Sequence, residues 1–128
     1  MRKEYNMSVL VCVTGQKSCE RLIVAGAEIA RKEGVPLNVL HVVSSKGNVL
    51  GFVNEPEALE YLLKVSVEHG ASMYVRRSDD VISSIEYAAK NEQVGVLVAG
   101  RAADYRGHDL LDELKLRLPN VRFEIMSA

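Results

Sequence analysis

The chain has 128 residues, of which 48% are hydrophobic and 26% are charged, with 16 basic and 17 acidic side chains. A single domain of this length buries about two-thirds of the surface that its unfolded chain exposes, so it needs no metal or disulfide in order to fold. The balanced charge argues against nucleic acid or an anionic membrane as partner, and two cysteines form neither a metal quartet nor a disulfide framework.

Apolar runs alternate with helical patterns along the whole chain, which is typical of a parallel sheet covered by helices. Right-handed crossovers then place helices on both faces of a doubly wound, five-stranded α/β sheet. We expect a short tail over residues 1–7 and one domain over 8–128. The strands are predicted at 8–13, 37–43, 71–76, 94–99 and 121–126.

Helix boundaries are marked by capping and breaking residues. They are Gly34 and Pro36 after helix one, Asn54 and Gly70 around helix two, Asp79 and Asp80 before helix three, and Asp109 and Pro119 around helix four. The paired aspartates are explained by the dipole at the start of helix three, so they are not interpreted as a catalytic pair.

No signal peptide or membrane span is predicted, because the only apolar run near the start is short. We therefore expect a cytoplasmic protein.

The first strand runs into Thr14-Gly15-Gln16-Lys17-Ser18, which invites comparison with a phosphate-binding loop. A P-loop places its first glycine six residues before the lysine, and Val11 occupies that position here. Two interpretations remain for this turn. Either the helix start, capped by Ser18, and Lys17 form a weak anion site, or Lys17 is a solvated side chain in a plain turn.

The loop after the fourth strand adds Arg101, Arg106 and His108 at the same end of the sheet. Together with Lys17 these cations would form a positive rim suited to phosphate, although arginines in loops are also commonly just solvated. The histidines show no metal-ligand spacing and no nucleophile elbow, and His41 is interpreted as a packed strand residue. We therefore predict no catalytic residue and no metal site.

Three segments carry a resemblance to a known family: VLVCVTGQKSCERLIVAGAEIARKEGVPLNVLHVV, SIEYAAKNEQVGVLVAGR and LPNVRFEIM. They resemble the universal stress proteins, and in particular the universal-stress-type cytoplasmic domain of KdpD potassium-sensor histidine kinases. The resemblance implies the universal-stress fold, related to the adenine-nucleotide alpha hydrolases, with strand order 3-2-1-4-5. In that order the last strand lies at a sheet edge, so we expect a homodimer through it, with Arg122 of one copy beside Glu124 of the other, as is common in this family. The alternative is that these two charges guard the edge and keep the chain monomeric.

ATP-binding members of this family have an aspartate after strand one and the motif G-x-x-G-x(9)-G-[ST] after strand four. Here Thr14 replaces the aspartate, Gly100 matches the first glycine, and Ala103 and Glu113 replace the other two. Val42 matches the position whose backbone meets adenine. Together with the turn and the positive rim described above, these positions give the candidate ligand-binding residues Thr14, Gly15, Lys17, Ser18, Val42, Gly100 and Arg101.

These features predict a non-enzymatic stress or signalling module whose candidate ligand is an adenine nucleotide or another small anion, and whose protein partner would be a signalling protein. One alternative is an ATP-binding universal stress protein with slow ATPase activity, in which Lys17 and Arg101 contact the phosphates. The other alternative is a pure protein-interaction module.

Overall fold

The computed structural model describes residues 7–13, 19–43, 55–100 and 110–126. In these ranges five strands alternate with four helices, and the strand boundaries agree with the prediction to within one residue. The strands are β1 (Ser8–Val13), β2 (Leu37–Val43), β3 (Ser72–Arg77), β4 (Val94–Gly100) and β5 (Arg122–Met126). The helices are α1 (Cys19–Glu33), α2 (Glu55–Glu68), α3 (Val81–Asn91) and α4 (Leu110–Arg117).

The five strands form one sheet in the order β3-β2-β1-β4-β5. Every neighbouring pair is parallel. The predicted doubly wound architecture and strand order are therefore confirmed, with β1 in the centre and β3 and β5 at the two lateral edges.

The central strand β1 is buried along its whole length and divides its side chains between two cores. Val9, Val11 and Val13 pack in one core with residues of α1 and α2. Leu10 and Cys12 pack in the other core with residues of α3 and α4. This alternation follows from the period of two in a strand, and it confirms that helices cover both faces.

Helix α1 lies unusually close to β1 because its middle residue is a glycine. A Cβ atom on Gly26 would lie 2.4 Å from Cγ2 of Val11 and 3.2 Å from Cδ1 of Leu37. Val11 is completely buried and has a stiff side chain, so it has nowhere to move. The helix can approach the sheet this closely only without a side chain at position 26.

The helices end at the capping and helix-breaking residues predicted from the sequence. Gly34 and Gly70 follow α1 and α2 with φ values of 67° and 74°, a left-handed conformation that glycine adopts without strain. Asp80 caps α3, and its Oδ1 accepts a hydrogen bond of 3.0 Å from the backbone N–H of Ser83. That bond is the main cause that lowers the pKa of Asp80 below its usual value.

No helix in the described ranges has both the length and the apolar character required to cross a bilayer.

Candidate functional site

The carboxyl ends of the strands meet at one end of the sheet, where the order of the strands reverses at β1. From β1 the chain crosses to β2 on one side, while β4 lies on the other side. In doubly wound sheets the ligand crevice opens outside such a switch point. The candidate site therefore lies beyond the ends of β1, β2 and β4, at Val13, Val43 and Gly100.

Two of the seven predicted ligand residues, Val42 and Gly100, lie in the part of the chain that the structure describes. They lie near the carboxyl ends of β2 and β4, the two strands that flank β1. The fold thus brings these two to the same end of the sheet. The other predicted residues, Thr14, Gly15, Lys17, Ser18 and Arg101, lie outside the described residues, as do Ala103, Arg106 and His108.

Val42 lies one position beyond the last described pairing of β1, which joins Val13 to His41. Its side chain is half-buried against the core under α3 and α4. The backbone N–H of Val9 donates to the carbonyl of Pro36 at 3.0 Å, which fixes the direction of the peptide groups in β1 and β2. The peptide groups of a strand point alternately to its two sides, so every second residue after Pro36 faces β1. Val42 is six residues after Pro36, and its backbone N–H and carbonyl therefore face β1.

His41 is 1% exposed and contributes a side-chain link between the ends of β1 and β2. Its Nδ1 lies 3.0 Å from the carbonyl oxygen of Val13. A carbonyl only accepts hydrogen bonds, so Nδ1 is the protonated nitrogen of this contact. The prediction that His41 is a packed strand residue is confirmed, and its hydrogen bond holds together two strands that border the site.

Gly100 ends β4, and no described residue requires a glycine there. Among the described residues, the nearest atom to a Cβ placed on it would be Cδ1 of Leu22, at 3.6 Å, which is an ordinary contact distance. An alanine would therefore fit against the described part of the chain, and the glycine leaves the end of this strand without a side chain.

Two carboxylates occupy the first turn of α4, where the family pattern has its last glycine. They belong to Asp112 and Glu113. Glu113 Oε2 accepts a hydrogen bond of 3.2 Å from Nε of Arg117, whose Nη1 also donates to Glu86 at 3.1 Å. Hydrogen bonds from Lys90 and Arg117 hold the pKa of Glu86 below its usual value. The start of α4 is therefore acidic and is tied into an ion-pair network with α3.

The buried Cys12 thiol is not an activated nucleophile, and the described residues form no metal centre. Burial raises the pKa of the Cys12 thiol to about 12, so this group stays protonated at neutral pH. Within the ranges listed above, no three His, Cys, Asp or Glu residues lie close enough together to hold a metal ion.

A separate cleft of about 550 Å³ lies at the opposite, amino end of the sheet. It opens between the C-termini of α1 and α2, and its walls include Ala30, Pro36, Leu37, Glu68 and His69. Sequence reasoning missed this cleft, because these residues form no motif and are brought together only by the packing of two helix ends.

Comparison with known proteins identifies the fold and one sequence relative. No protein-family model matches the chain. The sensor protein KdpD of Mycobacterium tuberculosis H37Rv is 31% identical over 105 residues, which cover 82% of this chain and 12% of that protein. The chain thus spans about an eighth of the length of the curated relative that it matches.

Solved structures share the architecture over nearly the whole chain. A universal stress family protein from Burkholderia pseudomallei has a TM-score of 0.69 and 18% identity, with 100% of both chains covered. The universal stress protein from Archaeoglobus fulgidus in complex with dAMP has a TM-score of 0.60 and 21% identity, with 96% of this chain and 98% of that chain covered. The chain therefore has the universal stress protein fold, and it is similar in sequence to a segment of the sensor protein KdpD.

Proposed function

We propose that this chain is a non-enzymatic regulatory module of universal stress type, which binds an adenine nucleotide or a similar small anion at the carboxyl end of its sheet. The observation that carries the proposal is the switch point at β1, with Val42 on one side and Gly100 on the other. The Archaeoglobus fulgidus protein with the same fold, in complex with dAMP, supports this class of ligand.

The backbone of Val42 favours adenine over guanine. Its N–H faces β1 next to Val13, the last described residue of that strand. Its carbonyl points the same way but lies beyond Val13, where a ligand at the end of the sheet could reach it. A carbonyl acceptor suits the exocyclic amino group of adenine, whereas guanine carries an acceptor oxygen at the corresponding position. We therefore expect AMP to bind more tightly than GMP.

The start of α4 disfavours a triphosphate. A helix N-terminus normally attracts phosphate, but here Asp112 and Glu113 place negative charge in the first turn. Each additional phosphate increases the repulsion, so ATP should bind weakly and its hydrolysis is not the expected activity.

Mass spectrometry of small molecules released from the purified, denatured protein tests whether the site carries a ligand. Calorimetry with AMP, GMP and magnesium ATP then tests its selectivity. Glu113→Gln should strengthen ATP binding several-fold and change AMP binding little, whereas Glu68→Gln at the opposite end of the sheet should change neither. Sub-micromolar affinity of the unmodified chain for magnesium ATP would overturn the regulatory assignment in favour of an ATP-binding protein.

We further infer a cytoplasmic homodimer that pairs through β5. β5 is a lateral edge strand, and its backbone can pair with a second copy. Nε of Arg122 lies 3.3 Å from Oε2 of Glu124 in the same strand, and Nη2 lies 3.3 Å from Glu33 in α1. The ion pair expected between two copies is therefore already formed within one chain. The dimer would then depend chiefly on the backbone and on Phe123.

A further inference from the structure

The second lateral edge, β3, is far more open than β5. Five of its six residues are exposed and Met73 is half-buried. The N–H of Ser78 donates to the carbonyl of Val43 at 2.9 Å, which fixes the direction of the peptide groups along β3. Because the direction alternates, the peptide groups of Met73 and Val75 face away from β2 and toward solvent.

Exposed apolar side chains border this edge on the face covered by α2. Leu63 and Val67, one turn apart on α2, are 50% and 64% exposed. On the opposite flank of the helix, Tyr61 donates to Glu20 of α1, so Leu63 and Val67 lie on the side turned away from α1 and toward β3. Val75 of β3, on the same face of the sheet, is 40% exposed.

The other face of the edge carries aromatic surface. Tyr74 of β3 and Tyr87 of α3 are exposed, and the guanidinium of Arg76 lies 4.5 Å from the centroid of the Tyr87 ring. An added strand projects its side chains alternately to the two faces. Such a strand would therefore meet apolar or aromatic surface on both sides of β3.

The charge of the β3 edge determines which kind of added strand it attracts. β3 carries Arg76 and Arg77 and no acidic residue. Glu60 and Lys64, on the exposed side of α2, have opposite charges that offset each other. Two exposed carboxylates, Asp79 and Asp80, lie beyond the end of the strand, and Asp80 is engaged in capping α3. A second copy of β3 would offer these arginines no carboxylate, because the strand contains none, whereas an acidic strand would be attracted.

We propose that the β3 edge, consisting of β3 with Leu63, Val67 and Tyr87, docks an extended acidic segment of a partner protein as a sixth strand. Main-chain hydrogen bonds to Met73 and Val75 provide the pairing, and the two apolar borders receive alternate side chains. Arg76, which lies beside the Tyr87 ring on the aromatic border, selects acidic residues in the partner. This site is separate from the ligand site proposed above and does not depend on it.

The test uses two short fluorescein-labelled peptides, one alternating valine with glutamate and the other alternating valine with lysine. Fluorescence anisotropy with the full chain should show binding of the glutamate peptide at least about tenfold tighter than the lysine peptide. Val75→Pro removes the outward N–H but leaves the ladder to β2 intact, and it should weaken binding by about tenfold or more. The matched variant Val75→Thr keeps the N–H and should bind nearly as the parent does.

Hydrogen exchange of the unmodified chain gives a second readout if Val75→Pro fails to fold. The glutamate peptide should protect the amides of Met73 and Val75 from exchange. Absence of binding, equal binding of the two peptides, or no protection at these amides would overturn the proposal. The β3 edge would then be an edge strand that does not pair with other chains. Equal protection by a short oligothymidylate would also overturn it, because the edge would then select anions in general.

Discussion

The two lateral edges of the sheet differ in burial and in the symmetry of their charge. β5 is half-buried, and its charged pair, Arg122 and Glu124, contains both signs. β3 is almost wholly exposed, and both of its charged residues are arginines. The charges of β5 offset each other within the chain and do not repel a second copy, whereas an edge with one sign favours a partner of the opposite sign. One sheet can thus combine self-association at one edge with recognition of another protein at the other.

Proline substitutions should have the largest effect, and they should act on one edge without affecting the other. When the alternation of peptide groups is followed across the sheet, Phe123 faces the open side of β5 just as Val75 faces the open side of β3. We expect Phe123→Pro to weaken the homodimer at least about 100-fold, because the outward N–H is lost, and Val75→Pro to leave it intact.

Sedimentation equilibrium at tens of micromolar distinguishes the two variants. A monomeric parent chain would reject the dimer itself. A dimer that survives Phe123→Pro would place the interface elsewhere.

Burial should separate the edges in stability as well. Phe123 packs against the core under α3 and α4, whereas Tyr74 is 40% exposed. We expect Phe123→Ala to lower the free energy of unfolding by about 2 kcal/mol and Tyr74→Ala by less than about 1 kcal/mol. Urea unfolding at a concentration where both variants are monomeric measures this difference. Equal losses would show that both edges contribute alike to the core.

Acid should lower the stability of the fold near β3, because it protonates Asp80, the residue that caps α3. The pKa of Asp80 is lowered in the folded chain, chiefly by the hydrogen bond from Ser83. Its stabilising contribution is therefore complete at neutral pH and is lost as the pH falls through the lowered value. Asp80→Asn keeps a capping side chain without the charge, so its stability should fall less than that of the parent between about pH 5 and pH 2.

Thermal unfolding across this pH range measures the effect, with Glu28→Gln on the exposed side of α1 as the control. Identical pH dependence in the parent and Asp80→Asn would show that other carboxylates govern acid sensitivity.

The ion pairs of β5 should matter least for the stability of the single chain. The side chain of Arg122 is 55% exposed, and its partners Glu33 and Glu124 are also largely exposed. We expect Arg122→Gln to change the free energy of unfolding by less than about 1 kcal/mol, with the difference shrinking further in high salt. Chemical denaturation at low and high ionic strength checks this expectation. A larger, salt-independent loss would indicate that Arg122 has a packing role.

Most of the fold follows from local signals in the sequence. The buried run of β1, the glycines after α1 and α2, and the Asp80 cap each act within a few residues, so periodicity and capping rules locate them. The strand order is different, because five strands allow many orders and periodicity selects none of them. That order came from the resemblance to the universal stress proteins and is confirmed.

Long-range contacts and surface exposure were beyond local reasoning. Leu63 and Val67 belong to the apolar pattern of α2, yet they are exposed because the helix presents only the side with Leu62 and Val65 to the sheet. Arg122 meets Glu33 from 89 residues away, and no local rule predicts such a pair.

For the candidate site, the sequence predicts which residues lie at the same end of the sheet but not how their side chains are arranged. Parallel topology alone places Val42 and Gly100 at one end of the sheet. The roles of Thr14, Lys17 and Arg101 remain predictions, because these residues lie outside the described ranges.

The close approach of Gly26 to Val11 has a consequence for how this chain can evolve. Every single-nucleotide change in a glycine codon that yields another amino acid adds a Cβ atom. Each such change at codon 26 would therefore place that atom 2.4 Å from the Val11 side chain. A saturation-mutagenesis library should consequently be depleted of variants at this codon even when selection acts only on protein abundance. In an alignment of descendants, an invariant glycine here would record helix-to-strand distance and not ligand recognition.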